Sequence, residues 1–152
     1  MSPRFPSPVI DQMLTRGQIT RVAPNRTQAD HLLTQSEAHL RSARTLRDTD
    51  TAGAFVLAYD AARKALTAIL LNQGLKPRGE GAHALLAEAV GSQLATALDL
   101  TGFGWMRTTR NATEYGSDRH PSAAAVDVDE AVEMATTIHQ RAGRVLDHMY
   151  PY

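Results

Sequence analysis

The stretch Phe55-Val56-Leu57-Ala58-Tyr59-Asp60-Ala61-Ala62-Arg63-Lys64-Ala65-Leu66-Thr67-Ala68-Ile69-Leu70 decides the fold class. Phe55, Ala58, Tyr59, Ala62, Leu66, Ile69 and Leu70 recur at three- and four-residue intervals, so they fall on one face of a helix. Gly74 and Pro77 bring that helix to an end. Just upstream, Asp48-Thr49-Asp50-Thr51 is short and rich in capping residues, which predicts a tight turn from an antiparallel neighbour. That neighbour carries its own stripe, Leu32, Leu33, Ser36, Leu40, Ala43 and Leu46, and runs to about Arg47 with Arg41, Arg44 and Arg47 beside the stripe. Thr27 and Asp30 resemble a capping box at its start.

Residues 1–26 hold Pro3, Pro6, Pro8 and Pro24 and no sustained stripe, so they read as an N-terminal arm with one turn of helix around Ile10 to Leu14. The domain proper is expected over residues 27–150. Beyond the central helix, Gly79-Glu80-Gly81 matches no phosphate loop and reads as a flexible connection. It leads into a short helix from about Ala82 to Val90 and a weak turn of helix around Gln93 to Leu98. A further helix spans Phe103 to Tyr115 and stops at Gly116. After a polar loop with Pro121, Asp127 is expected to cap the last helix, with Glu130 as its box partner. Ala131, Ala135, Ile138, Ala142, Val145 and Met149 form its buried stripe. The expected architecture is all-α, an antiparallel bundle of four to five helices.

Composition agrees. At 152 residues the chain is about one domain, and it is 43% hydrophobic but only 5% aromatic, so alanine and leucine must do the packing. Small side chains favour closely spaced helices over a sandwich, and strand signals are nearly absent. Sixteen basic residues balance sixteen acidic ones, so no global field draws the chain to nucleic acid or to anionic lipid, and any such binding must be local. Cysteine is missing, which removes disulfides, thiolate metal sites and cysteine nucleophiles. With no apolar run of signal-peptide or membrane-spanning length, a cytoplasmic location without membrane contact is expected.

Chemistry is concentrated in Trp105-Met106-Arg107-Thr108-Thr109-Arg110-Asn111-Ala112-Thr113-Glu114-Tyr115. Phe103 and Met106 set an apolar stripe that arrives, seven residues after Phe103, at Arg110. A guanidinium buried without partners costs several kcal/mol, so Arg110 must be paired or must line a wet cleft or an interface. Asn111 is adjacent, Glu114 follows four residues later, and Tyr115 lies one turn after Asn111. The bland reading is an intrahelical Arg110–Glu114 pair with Tyr115 capping the edge of the core. It is opposed by the sequence order, base before carboxylate, which is the weaker orientation on a helix.

These residues resemble the HEPN superfamily, small helical proteins that commonly dimerise and often act as RNA-cleaving toxins beside nucleotidyltransferase antitoxins. The resemblance spans roughly Thr27 to Leu146. Tyr59 to Leu66, Gly81 and His83, and above all Arg110-Asn111-Ala112-Thr113-Glu114-Tyr115 carry it. It implies a homodimer with both copies of Arg110 facing a shared cleft, no cofactor and no metal. It also implies a metal-independent endoribonuclease acting on RNA in a toxin–antitoxin or defence setting, with a possible nucleotidyltransferase-type antitoxin as partner. The family's ribonuclease motif is an arginine, four to six residues, and a histidine; Arg110 matches the arginine, but the histidine is missing. Tyr115 stands at the closest spacing, and His120 is too far along. A phenol with an ordinary pKa near 10 is a poor general base at neutral pH, though it can donate a proton.

The candidate catalytic residues are therefore Arg110, Asn111, Tyr115 and Glu114. Arg107, Asp60, Arg119 and His120 are candidates for substrate binding. Asp60 has Arg63 and Lys64 at helical spacing, which also suits an ion-pair ladder. His31, His39, His83, His120, His139 and His148 have no metal-ligand spacing and read as surface histidines. The alternative function is a catalytically inactive module that keeps the dimer and binds nucleotide, RNA or protein.

Overall fold

The computed structural model describes residues 7–79, 82–94 and 98–152. Among them are six α-helices: α1 (Pro8–Thr15), α2 (Arg26–Leu46), α3 (Thr51–Gln73), α4 (Ala82–Leu94), α5 (Phe103–Tyr115) and α6 (Ala125–Val145). Two short strands, β1 (Ile19–Arg21) and β2 (Leu75–Pro77), pair antiparallel with Ile19 opposite Pro77 and Arg21 opposite Leu75. The chain is a helical bundle, as the periodicities predict.

The central element is α3. Thirteen of its 23 residues are buried, six of them alanines, so neighbouring backbones can approach from several sides. Asp50 caps its start by accepting the Gly53 amide, and Gly74 closes its end in the left-handed region at φ 77°. α2 returns antiparallel after a four-residue turn, locked where the Ser36 hydroxyl donates to the Ala61 carbonyl at 2.8 Å. α6 covers both. Arg26 pairs with Asp147, His139 meets Ser36, Arg44 donates to Thr136, and Arg47 grips Asp129, so numbers rise along α2 as they fall along α6. α5 lies against α3 through Trp105 edge-on to Phe55 and Phe103 stacked on Tyr59.

The helix starts differ from those read in the sequence. Asn25, not Thr27, caps α2 by accepting the Gln28 amide, and Asp30 pairs with Arg26. α6 begins at Ala125, so Asp127 sits inside the first turn and reaches back to the Ala124 amide at 2.8 Å. Its carboxylate does half of a capping box; the alanine at the cap has no oxygen with which to reciprocate.

The N-terminal segment is more ordered than one turn of helix. α1 has eight residues, Ser7 caps it, and Ile10, Met13 and Ile19 are buried in the common core. Tyr152 ties it down: its hydroxyl accepts the Ser7 amide and lies 2.9 Å from the Ser7 carbonyl and from Asp11 Oδ1. Pro3 and Pro6, the Glu80-Gly81 part of the expected flexible connection, and the middle of the weak turn expected around Gln93 to Leu98 lie outside the described residues.

Candidate functional site

α5 ends where it was expected to, at Tyr115, with Gly116 at φ 79° turning the chain away. Its buried stripe is Phe103, Met106, Thr109 and Ala112, so it drifts past Arg110 and leaves that residue on the margin of the core. The Arg110 side chain is nevertheless only 19% exposed. Its guanidinium carbon lies 5.6 Å from the ring centre of buried Tyr59 and 5.7 Å from that of Tyr115, so the cation is held between two aromatic faces.

The polar partners of Arg110 lie on its own helix. One terminal nitrogen donates to Asn111 Oδ1 at 3.1 Å, and Nε stands 2.9 Å from Glu114 Oε2. The intrahelical pair thus exists, but Nε–H does not point along it, and this buried nitrogen donates to no acceptor. Tyr115 does not cap the core edge: it is 73% exposed.

Arg107, one turn before, has no hydrogen-bond or ion-pair partner among the described residues. It and Asn111 line two adjoining hollows. One, of about 490 Å³, is also lined by Tyr115 and His120. The other, of about 290 Å³, lies between α5 and the start of α4 and is lined by His83, Gly79 and Ala82. A third cavity of about 330 Å³ has Asp99, Glu130 and Glu133 as its charged groups, which repel a phosphodiester.

The remaining candidates divide. Asp60 is held by Arg63 at 3.4 Å, while Lys64 turns to His39 instead of completing a ladder. His120 sits in the loop after α5, with Nε2 2.8 Å from the Thr109 hydroxyl and its amide donating to Ser117 Oγ. Arg119 is exposed in the same loop.

A model of the family described as HEPN domain matches residues 29–146. The chain belongs to the HEPN domain family. No curated protein and no solved structure matches the chain. In this HEPN chain the described residues include no helix long and apolar enough to cross a membrane.

The sequence reading named Tyr59 and His83 only as carriers of the family resemblance, not as candidate site residues, and read all six histidines as surface groups. Tyr59, expected on the buried stripe of its helix, is the ring over which Arg110 lies. His83 is exposed, but its Nδ1 is 3.4 Å from the Tyr59 hydroxyl, and its ring meets the Tyr59 ring at 6.2 Å. Burial pushes the Tyr59 phenol above its ordinary range. Partial burial, and then Arg63, Arg110 and Arg107, hold the His83 imidazole below its ordinary range. His39 and His139 are not free surface groups either: each is half-buried and partnered, by Lys64 and Ser36, and burial lowers both. The spacing of Tyr59 and His83 with the Arg110 helix carries no signal in one sequence, because three separate helices bring them together.

Proposed function

We propose that this HEPN protein is a homodimeric, metal-independent endoribonuclease of the toxin type. Arg110 and Asn111 from each protomer engage the scissile phosphodiester, with Arg107, Arg119 and His120 along the RNA path. The observation that carries the reading is the state of Arg110: a cation held on the margin of the core, stacked between Tyr59 and Tyr115, with a buried Nε that has no acceptor. A packed core gains nothing from such a group, whereas an anion entering beside it supplies the missing acceptor and adds charge-assisted hydrogen bonds. Unpartnered Arg107 one turn away extends the same cationic strip.

The dimer of this reading would be built on exposed apolar groups. Tyr115 at 73% and Val126 at 68% exposure are large apolar groups at the end of α5 and the start of α6. A twofold contact covering them would set two Arg110 guanidiniums across one cleft, a combination that attracts phosphate. Family members are often toxin-like ribonucleases or nucleotide-binding domains. A nucleotidyltransferase-type antitoxin is the corresponding protein partner, and the cytosol the corresponding compartment.

A second reading, a silent module that binds RNA or nucleotide, is favoured by the tyrosine where the motif has a histidine. Incubation of purified protein with single-stranded RNA, with and without chelator, separates the two. Chelator-resistant cleavage lost in Arg110→Ala supports the nuclease. Binding without cleavage supports the module.

A further inference from the structure

We propose that His83, presented from the start of α4, is the proton acceptor for RNA cleavage at the Arg107–Arg110 strip. The role is one that the motif position occupied by Tyr115 cannot fill. This rests on the nuclease reading above and adds a residue from a different helix to it.

Three observations place the imidazole in the reaction. First, His83, Arg107 and Asn111 line one hollow of about 290 Å³, large enough for a phosphate and part of a ribose, and Asn111 accepts a hydrogen bond from Arg110. A phosphodiester gripped by Arg107 in this hollow lies beside His83, and Arg110, which does not itself line the hollow, adjoins it through Asn111. Second, His83 Nδ1 faces the Tyr59 hydroxyl at 3.4 Å, and Tyr59 is fully buried between Phe103 and Arg110. In the tautomer whose Nδ1–H donates to that fixed oxygen, the lone pair of Nε2 is free, and this is the tautomer the proposed role requires. Tyr59 is thereby a positioning residue: it orients both the base and the arginine.

Third, charged groups of two neighbouring helices face the imidazole among the described residues. Arg63 and Asp60 face it from α3, and Arg107 and Arg110 from α5. Partial burial, and then three cations against one carboxylate that is itself paired with Arg63, hold the imidazole below its ordinary range.

The step balances without an oxidant or reductant. Nε2 of His83 takes the proton of the ribose 2′-hydroxyl, and the 2′ oxygen forms a bond to phosphorus. The bond from phosphorus to the 5′ oxygen breaks, and that oxygen takes a proton from water. The products are a 2′,3′-cyclic phosphate and a 5′-hydroxyl end, and His83 returns its proton to solvent.

The test uses the full chain and a fluorescent single-stranded RNA, followed across pH for wild type, H83Q, H83A, Y59F and R110A. A general base is worth about 10²–10⁴-fold, so H83Q is expected to slow cleavage at least about 100-fold while RNA affinity changes by less than about threefold. Wild-type rate should rise with pH along a limb whose midpoint lies below the ordinary imidazole range, and H83Q should lose that limb. Y59F should retain the limb with its midpoint moved, and added imidazole should restore part of the H83A rate, which a merely structural role would not allow. If H83Q cleaves within threefold of wild type along the same limb while R110A is dead, the assignment of His83 fails and the nuclease reading stands. If wild type cleaves no RNA at any pH, the nuclease reading fails and takes this role with it.

Discussion

Arg110 separates what the site is for from what holds the fold. Its Nε is buried without an acceptor and its ion pair with Glu114 is off-axis, so its contribution to stability is small against the cost of desolvating it. Arg110→Met keeps the reach and the contact with Tyr59 but removes the charge. We expect the Tm of this variant to be unchanged or up to about 4 °C higher, because about 1 kcal/mol moves a domain of this size by about 2–4 °C. RNA cleavage should be lost. A Tm that drops by more than about 6 °C would mean that the arginine is there for the fold. The histidines make a second prediction at this scale. His39, His83 and His139 have folded-state pKa values below the ordinary 6.5. The unfolded chain therefore takes up protons first as pH falls, so protons favour unfolding. The penalty is absent above about pH 6.5 and grows below it. Thermal melts should show Tm falling as pH drops from about 6.5, and His139→Gln should flatten that fall; a Tm independent of pH in this window would contradict the burial of these rings.

At the scale of elements, Gly74 is the joint on which the small sheet and the central helix both depend. Its φ is 77°, and a Cβ there would stand 2.5 Å from the Val22 carbonyl oxygen, which is backbone and cannot swing away. Gly74→Ala should cost about 2–4 kcal/mol, the left-handed penalty of about 1–2 plus displacement of the Val22 strand end. Gly79 has a similar φ of 75° with nothing near its missing Cβ, so Gly79→Ala should cost only about 1 kcal/mol. Equal midpoints for the two variants in denaturant would contradict the close approach. This joint also marks what a sequence can and cannot tell. α3 and α5 were legible because each repeats its period over several turns and ends on a glycine. β1 and β2 were not, since three residues carry no period, and Ile19 and Leu75 are buried by pairing between distant segments. The starts of α2 and α6 slipped by two or three residues because aspartate and threonine serve equally as cap or as first-turn residue. Arg110, Asn111, Glu114 and Tyr115 share one helix, so their grouping could be read directly; Tyr59 and His83 join them only through packing.

At the scale of the molecule, the chain is a bundle in which α3 is wrapped by α2, α6 and α5, and α4 closes the side next to the cationic strip. Every helix that carries a candidate residue touches α3, so the core fixes where those helices sit. Among the described residues Tyr115 and Val126 are uncovered. The account therefore makes its strongest demand on assembly: two copies must meet around Arg110. Sedimentation equilibrium of the purified protein measures this directly. A mass of twice the 16.5 kDa chain, falling toward 16.5 kDa in Tyr115→Glu, is the predicted result. A strictly monomeric wild-type protein at concentrations where it cleaves or binds RNA would contradict it.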